Sequence, residues 1–572
     1  MKALILMRTF SKSFCLSFLL IFFAFSIIIK AQRDPVRGMN GMVVTEEKIS
    51  TQVGIEILKK GGNAVDAAVA IGFALAVTYP SAGNLGGGGF MVIHLAGGKN
   101  VSLDFREKAP LSATRNMYLD ENGNVNSDLS LFGGSSSGIP GSVAGLIYAL
   151  ENYGTMKLAD VIQPAIDLAN NGFVLDYHIA KSFENALEKF KKYESSVKVF
   201  SKNGEPYNEG EVFKQTDLAK TLSLIRDYGK NGFYSDDISE LIIKQINSTG
   251  GNVSQKDFDD YKVIERNPII GTYRGYEIIS MGPPSAGGIV LTLLLNILEN
   301  ADFHIDQWGS SEYIRLVAES MKYAYLERSY TIGDEDFFDV NKQKLTSKIF
   351  AKEIFDKIMK NVTPSSELQD SVIVGGKESF ETTHYSVCDK FGNAVSTTTT
   401  INSSFGSKMV VEGAGFLLNN EMDDFSSKPG TPNQFGLIGG EANSIQPGKR
   451  MLSSMTPTIV LKNNEPFLVL GAPGGSTITT AVLQVILNCI DFKMDIQRAI
   501  DMPRFHHQFL PDEINFEYFG VTEDVKENLE KYGYAIGTDI TIGRVEGIMI
   551  DPKNKMFYGA ADPRGNGTAA GF

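Results

Sequence analysis

The sequence predicts an α+β fold, in which helices and strands occupy different stretches of the chain. Between residues 160 and 357 the pattern is mostly helical, whereas from Phe380 onward β-branched residues alternate with others as they do in strands. The chain has 572 residues, of which 43% are hydrophobic, so it can bury a large core in one extended or two ordinary domains. Such a separation of helical and strand segments is typical of the α+β class.

The first 31 residues have the order of a secretory signal. Lys2, Arg8 and Lys12 precede an apolar run over residues 13–29, and Ala31 offers a cleavage position. We expect cleavage after Ala31 and export of the remaining chain, which would be periplasmic or secreted. The alternative is an uncleaved membrane anchor formed by residues 13–29, a run that is slightly short for a membrane span.

Composition excludes several classes of partner and cofactor. The formal net charge of -13 argues against nucleic acid and anionic membranes as partners. After the predicted signal only Cys388 and Cys489 remain, so we expect no disulfide framework. The six histidines are scattered, and only His506 and His507 are adjacent. We therefore predict no metal site and no cofactor.

Two segments in the first quarter of the chain combine glycine or alanine with apolar residues. The alanine-rich run over residues 61–77 is apolar nearly all round and predicts a buried helix that ends before Pro80. Glycines over residues 83–89 then lead into a predicted strand over residues 90–95. A phosphate-binding loop instead joins a strand to a helix and ends in Gly-Lys-Ser/Thr, so these glycines favour close backbone packing.

The segments 382–389 and 394–401 are rich in β-branched residues and predict a β-hairpin. The residues between them fit a three-residue loop with Gly392 in the left-handed conformation, which pairs Asp389 with Asn393. Extending this register fixes which residues face each other along both strands.

The predicted register brings polar side chains together. Thr382 lies opposite Thr400, and Asn402 projects from the same face near the same end. Threonine is common in strands, so this cluster alone does not indicate an active site. A second feature is the glycine-rich turn over residues 472–475, between a predicted strand and a helix predicted to begin at Ser476. Backbone N–H groups at such a turn can converge on one oxygen and form an oxyanion hole.

In combination, these motifs resemble those of the γ-glutamyltransferases, a family of the N-terminal-nucleophile hydrolase superfamily. The resemblance covers nearly the whole chain after the predicted signal. Seven blocks in the family's order carry it: residues 61–68 (GGNAVDAA), 84–90 (NLGGGGF), 103–107 (LDFRE), 382–385 (TTHY), 419–425 (NNEMDDF), 452–455 (LSSM) and 471–475 (GAPGG).

The resemblance implies a four-layer αββα sandwich that is made as one precursor and formed jointly by two subunits after self-cleavage. In such a precursor the hydroxyl of Thr382 attacks the carbonyl of Glu381, and the resulting ester is hydrolysed. The products would be a large subunit, residues 32–381, and a small catalytic subunit, residues 382–572, which associate as a heterodimer.

The resemblance also implies the roles of the catalytic groups. Thr382 would supply both the nucleophilic hydroxyl and, through its new α-amino group, the general base. Thr400 would orient Thr382, and the backbone of Gly474 and Gly475 would stabilise the oxyanion. The expected donors are γ-glutamyl compounds such as glutathione, and the expected acceptors are water, amino acids and peptides.

Charged and polar residues at matching positions would hold the glutamyl group as a zwitterion. Those expected to bind its α-carboxylate are Arg106, Ser453 and Ser454. Those expected to bind its α-ammonium are Asn402, Glu421 and Asp424. Residues 426–440 match a lid loop of some bacterial relatives, with Phe435 at a position where some members have tyrosine.

Three other functions stay open at this point. Related acylases that process glutaryl side chains have the same fold, but their substrates lack the ammonium, and Asp424 argues against this reading. A serine hydrolase is suggested by the Gly-x-Ser-x-Gly pattern over residues 134–138, although no strand-turn-helix context is predicted there. An exported binding protein could have kept the fold without the activity, but the intact Thr382 argues against it.

Overall fold

The computed structural model describes residues 33–368 and 382–572. The predicted signal over residues 1–31, with its expected cleavage after Ala31, lies outside the described residues, as does Glu381. Nearly all the described residues belong to one compact unit, Pro35–Phe572. In the described chain, no helix is long and apolar enough to cross a membrane.

The unit contains nineteen strands and nineteen α-helices within the described ranges. The strands are β1 Val36–Gly38, β2 Gly41–Thr45, β3 Gly88–His94, β4 Asn100–Asp104, β5 Phe173–Val174, β6 Val212–Phe213, β7 Ile264–Arg266, β8 Ile269–Tyr273, β9 Tyr276–Ser280, β10 Thr383–Asp389, β11 Ala394–Thr400, β12 Thr458–Lys462, β13 Glu465–Gly471, β14 Phe505–His506, β15 Glu513–Phe516, β16 Ala535–Ile536, β17 Glu546–Ile550, β18 Phe557–Ala560 and β19 Thr568–Gly571. The helices are α1 Lys48–Lys59, α2 Ala64–Thr78, α3 Ser127–Leu131, α4 Ser142–Tyr153, α5 Leu158–Asn171, α6 Tyr177–Phe190, α7 Glu194–Phe200, α8 Thr216–Tyr228, α9 Asn231–Tyr234, α10 Asp236–Ser248, α11 Gln255–Asp259, α12 Gly287–Leu298, α13 Ser311–Thr331, α14 Lys342–Leu345, α15 Lys348–Ile358, α16 Ser365–Leu368, α17 Ile478–Ile490, α18 Ile496–Asp501 and α19 Glu523–Lys531.

Two seven-stranded antiparallel sheets form the centre of the molecule. The first has the order β19-β2-β10-β11-β3-β4-β7, and the second has the order β1-β18-β17-β13-β12-β9-β8. Side chains of β2 alternate between two cores: Val43 packs in the core that contains α2, whereas Met42 and Val44 pack in the core that contains the second sheet. The second sheet is covered in turn by α12 and α17, and α13 packs against α12. The layers are therefore helix, sheet, sheet and helix, which confirms the predicted αββα architecture.

Helix α2 is fully buried, as its composition predicts. Asn63 caps its first turn and forms a capping box with Asp66. The backbone N–H of Ala64 donates to the Asp389 carboxylate, 2.8 Å away, at the loop end of the β10–β11 hairpin. Asp389 also accepts hydrogen bonds from Asn393, which fixes the turn. This helix start and the hairpin are thus locked together.

The prediction of mostly helical structure over residues 160–357 is wrong between residues 264 and 280. Strands β7, β8 and β9 lie there, and each is an outer or next-to-outer strand of one of the two sheets. β8 and β9 are joined by Arg274 and Gly275, both with positive φ, as in the two-residue turns of hairpins. These strands are only three to five residues long, so they leave little periodic signal.

Cys388 and Cys489 are both buried free thiols. Burial raises the pKa of the Cys388 thiol well above its usual value, so it stays protonated at neutral pH. The fold is held together by packing and by hydrogen bonds rather than by a link between these two residues.

Candidate active site

The hairpin of β10 and β11 has the predicted register. Thr383 pairs with Thr399, and the pairing continues to Cys388 and Ala394. Gly392 in the connecting loop has a φ of 95°, the left-handed conformation that the prediction requires. Thr382 immediately precedes β10, so the same register places it opposite Thr400, the last residue of β11.

Thr382 lines a small cavity. Nine of the ten residues predicted to be catalytic or substrate-binding line this cavity; the tenth, Gly474, adjoins Gly475, which does. The residues of the lining are Arg106, Arg328, Thr382, Thr400, Asn402, Glu421, Asp424, Phe435, Leu437, Ser453, Ser454, Met455, Gly475 and Ile478. Segments far apart in the sequence therefore converge on one concave site.

The glycine turn has an unusual backbone conformation. Gly474 has a φ of 140° and Gly475 a φ of 55°. A Cβ atom at Gly474 would lie 2.9 Å from the Cα of Gly543, so this position has no room for a side chain. The helix predicted from Ser476 instead starts with a 3₁₀ turn over Gly475–Thr477, and the α-helix follows from Ile478. The Thr477 hydroxyl and N–H both bond the Gly474 carbonyl, at 2.7 and 2.9 Å, and hold the turn closed.

Arg106 is fully buried and bonds two of the predicted ammonium-binding residues. Its Nη1 donates to Glu421 and its Nη2 donates to Asp424, while Nε donates to the Met451 carbonyl at 3.3 Å. Burial disfavours the charge on Arg106, but Glu421 and Asp424 outweigh it and raise the pKa of the guanidinium. Arg106, which is predicted to bind the carboxylate, is therefore paired with two of the residues predicted to bind the ammonium.

The remaining polar residues of the cavity are held by the backbone around them. Asn402 has a φ of 72°, and its N–H donates to the Thr400 hydroxyl at 2.8 Å. Its side-chain amide donates to the Asn420 carbonyl at 2.9 Å. The Ser453 N–H donates to the Pro284 carbonyl at 2.9 Å. This bond holds the segment that carries Ser453 and Ser454 against the loop between β9 and α12.

Comparison with known proteins decides the family. The sequence model of the family described as gamma-glutamyltranspeptidase matches residues 50–572. This chain belongs to the gamma-glutamyltranspeptidase family. A relative, the glutathione hydrolase proenzyme of Escherichia coli, is 48% identical over 532 residues, which cover 93% of this chain and 91% of that protein.

Solved structures agree with the family assignment. The gamma-glutamyltranspeptidase of Helicobacter pylori is 49% identical, with a TM-score of 0.56, and covers 58% of this chain and 96% of its own. A cephalosporin acylase from Bacillus halodurans is 26% identical, with a TM-score of 0.83, over 96% of this chain and 98% of that one. Both structures support the αββα fold, and the cephalosporin acylase matches this chain over almost its entire length.

The segment matched to the family's lid loop closes one side of the cavity. Phe435 is buried and lines the cavity. The side-chain amide of Asn433 donates to Asp424 at 3.3 Å, and the N–H of Gln434 donates to Asp423 at 3.2 Å. Burial, the largest effect, raises the pKa of Asp423 to about 7. This segment is thus attached through the same acidic stretch that contributes Asp424.

Sequence reasoning missed two charged residues of this gamma-glutamyltranspeptidase site. Glu107 is fully buried, with Oε2 3.7 Å from Nη1 of Arg106, and burial raises its pKa to about 7. Arg328 lines the cavity and donates to the Ser454 hydroxyl at 3.0 Å. Glu107 lies in the block over residues 103–107, one of the seven that carry the family resemblance, so a sequence signal for it was present. Arg328 lies in none of the seven blocks.

The Gly-x-Ser-x-Gly pattern does not form a nucleophile elbow. Residues Gly134–Ser136 form a 3₁₀ turn with no strand before it, and the next helix starts only at Ser142. The Ser136 hydroxyl is buried and donates to the Gly133 carbonyl at 2.7 Å. The serine hydrolase alternative is therefore wrong.

Proposed function

We propose that this chain is a self-processing enzyme that forms a γ-glutamyl ester on Thr382 and passes the group to water or to an amine. The observation that carries the proposal is the single cavity in which Thr382, Thr400 and Gly475 meet the charged pair of Arg106 and Asp424. The name proenzyme, used for the Escherichia coli relative, supports processing, and the name glutathione hydrolase supports glutathione as a donor.

Processing begins with an attack of the Thr382 hydroxyl on the carbonyl carbon of Glu381. The peptide C–N bond breaks, an ester forms, and the Thr382 nitrogen takes up a proton to become a free α-amine. Water then hydrolyses the ester and restores the hydroxyl, which leaves subunits 32–381 and 382–572.

The two subunits stay associated because they share both sheets. In the first sheet, β10 and β11 follow the cleavage position but lie between β2 and β3, which precede it. In the second sheet, β12 follows the cleavage position and pairs with β9, which precedes it. Separation would break backbone hydrogen bonds and expose both cores, so cleavage yields a heterodimer.

The new α-amine is the general base of the transfer reaction. Its reference pKa of about 7.7–8.0 suits proton transfer near neutral pH. The amine takes the proton of the Thr382 hydroxyl as its oxygen attacks the γ-carbonyl, and the N–H groups of Gly474 and Gly475 stabilise the oxyanion. The amine then protonates the leaving nitrogen. Water or an acceptor amine attacks the ester in the same manner and restores the enzyme.

The charged pair selects donors that carry two free charges. A γ-linked glutamyl group keeps its α-carboxylate and its α-ammonium, which fit Arg106 and Asp424, while an α-linked residue has lost one of them. Glutaryl substrates lack the ammonium and leave Asp424 without its ligand. This favours γ-glutamyl transfer over the acylase alternative.

We further propose that the enzyme acts outside the cytoplasm after loss of residues 1–31. The basic, apolar and small-residue order of that segment supports the proposal. Mass spectrometry of the mature amino terminus decides between cleavage after Ala31 and retention as an anchor.

Two measurements test the activity. Electrophoresis of the purified protein should give two chains, whereas Thr382→Ala should give one uncut, inactive chain; Thr382→Ser, which keeps a hydroxyl, is the matched control. Release of chromophore from a γ-glutamyl anilide, with and without a dipeptide, measures hydrolysis and transfer. An uncut wild-type protein, or one that prefers a glutaryl anilide, would refute the proposal and favour a binding protein or an acylase respectively.

A further inference from the structure

The cavity contains a second guanidinium besides Arg106. Arg328 lies near the end of α13, is 6% exposed, and lines the same cavity as Thr382. Its Nη2 donates to the hydroxyl of Ser454 at 3.0 Å. That hydroxyl is one of the groups expected to bind the donor's α-carboxylate, so Arg328 adjoins the carboxylate end of the site.

Arg328 lacks the counter-charge that a buried cation needs. Within residues 33–368 and 382–572 it forms no ion pair, and its Nε is buried without a hydrogen-bond acceptor. Burial lowers the pKa of the guanidinium, although Asp424 and Tyr325 oppose the effect. A buried charge without a close partner is unfavourable, and an anion in the cavity would relieve the cost.

Arg106 differs from Arg328 in this respect. Its Nη1, Nη2 and Nε are each bonded to a group of the protein, and two of these groups are carboxylates. A carboxylate that enters the free site therefore meets one guanidinium already neutralised by acids and another that is not. The two arginines differ in charge balance although they line the same cavity.

We propose that Arg328 binds the α-carboxylate of the donor, together with the Ser454 hydroxyl that it orients, and is a specificity-determining residue for that group. The proposal rests on the γ-glutamyl transfer proposed above. The group recognised is a free carboxylate on the carbon that also bears the ammonium.

The test compares two substrates in Arg328→Gln and Arg328→Lys. For a γ-glutamyl anilide, we expect Arg328→Gln to raise KM by about 10-fold or more while kcat falls far less, because a charge-assisted bond to the bound ligand is lost. Arg328→Lys should restore part of the affinity, since it keeps the charge but not the planar fork. A 4-aminobutyryl anilide lacks the α-carboxylate, so on this substrate the variants should match the parent.

Arg315→Gln is the matched control, because Arg315 lies on the same helix, is similarly buried, and is ion-paired to Glu312 away from the cavity. It should leave KM unchanged. Electrophoresis and thermal melting confirm that each variant is cut and folded. If Arg328→Gln is not cut or not folded, the comparison of Arg328→Lys with the parent decides. An unchanged KM in cut, folded variants, or an equal loss on both anilides, overturns the proposal. An inactive parent enzyme would refute the proposed function instead.

Discussion

Substitution of Gly474 tests the assignment of the oxyanion site most directly. At a φ of 140°, alanine is strained by about 1–3 kcal/mol, and its Cβ would lie 2.9 Å from the Cα of Gly543 and 2.7 Å from the Thr477 hydroxyl. The turn must therefore shift, which moves the N–H groups of residues 474 and 475. Loss of one oxyanion donor costs about 3 kcal/mol, so we expect Gly474→Ala to lower kcat by about 100- to 1,000-fold.

Gly61→Ala is the control for the strain that a side chain causes at a positive φ, without any steric contact. Gly61 also has a positive φ, 95°, but a Cβ there meets nothing within 4 Å, and the residue lies in the turn after α1. This variant should lose about 1–2 kcal/mol of stability and keep its kcat. The two free energies of unfolding come from denaturant titration, and kcat comes from γ-glutamyl anilide hydrolysis per cleaved small subunit.

The two variants separate catalysis from stability. The reasoning is refuted if cleaved Gly474→Ala hydrolyses the anilide at nearly the parental kcat. It is equally refuted if Gly61→Ala loses kcat to the same extent, since the effect would then follow stability rather than the position of the N–H groups.

Three further substitutions address the other groups. Thr400→Val should lower kcat by up to about 100-fold by releasing Thr382 and the Asn402 N–H, whereas Thr400→Ser should not; equal rates for the two would contradict an orienting hydroxyl. Asp424→Asn should lower kcat/KM for a γ-glutamyl anilide by about 10- to 100-fold and for a glutaryl anilide much less, and equal losses would exclude an ammonium contact. Burial raises the pKa of Glu107 to about 7, so its carboxyl gains negative charge as the pH rises through 7. That charge lies 3.7 Å from Nη1 of Arg106 and competes with a ligand carboxylate for the guanidinium, so the Ki of glutamate should rise over that interval. Glu107→Gln should abolish this rise, measured at each pH as competitive inhibition, and a pH dependence that survives would assign it to another group.

Local sequence signals predicted the hairpin and helix α2 well. The hairpin depends on β-branched strands and on Gly392, which are adjacent in the chain, and a helix apolar all round has to be buried. Residues 264–280 were misassigned because strands of three to five residues at sheet edges are too short to show the alternation that identifies a strand. The start of α17 was misplaced by two residues because the Gly474–Gly475 turn imposes a 3₁₀ geometry that Ser476 does not reveal.

The site itself depends on contacts between distant segments, which local patterns do not contain. The residues predicted to bind the α-carboxylate and the α-ammonium were identified by family resemblance, but the pairing of Arg106 with Glu421 and Asp424 was not. A lone arginine such as Arg328 on a helix is most simply explained as a surface ion pair, and only its bond to Ser454 places it in the cavity. Glu107 was within a recognised block, yet no sequence pattern indicates that its carboxyl is fully buried.

The pairing of Arg106 with Glu421 and Asp424 explains how the site can reject ligands that carry only one charge. Arg106 is bonded to both carboxylates, so its buried guanidinium is not left without a counter-charge. A carboxylate-only ligand that bonds Arg106 draws it away from Glu421 and Asp424 and leaves those two acids without their cation, and an ammonium-only ligand that bonds the acids leaves Arg106 without its anions. A ligand that brings both charges leaves Arg106, Glu421 and Asp424 paired, so selectivity at these three groups follows from the cost of the unpaired alternative rather than from the strength of either contact.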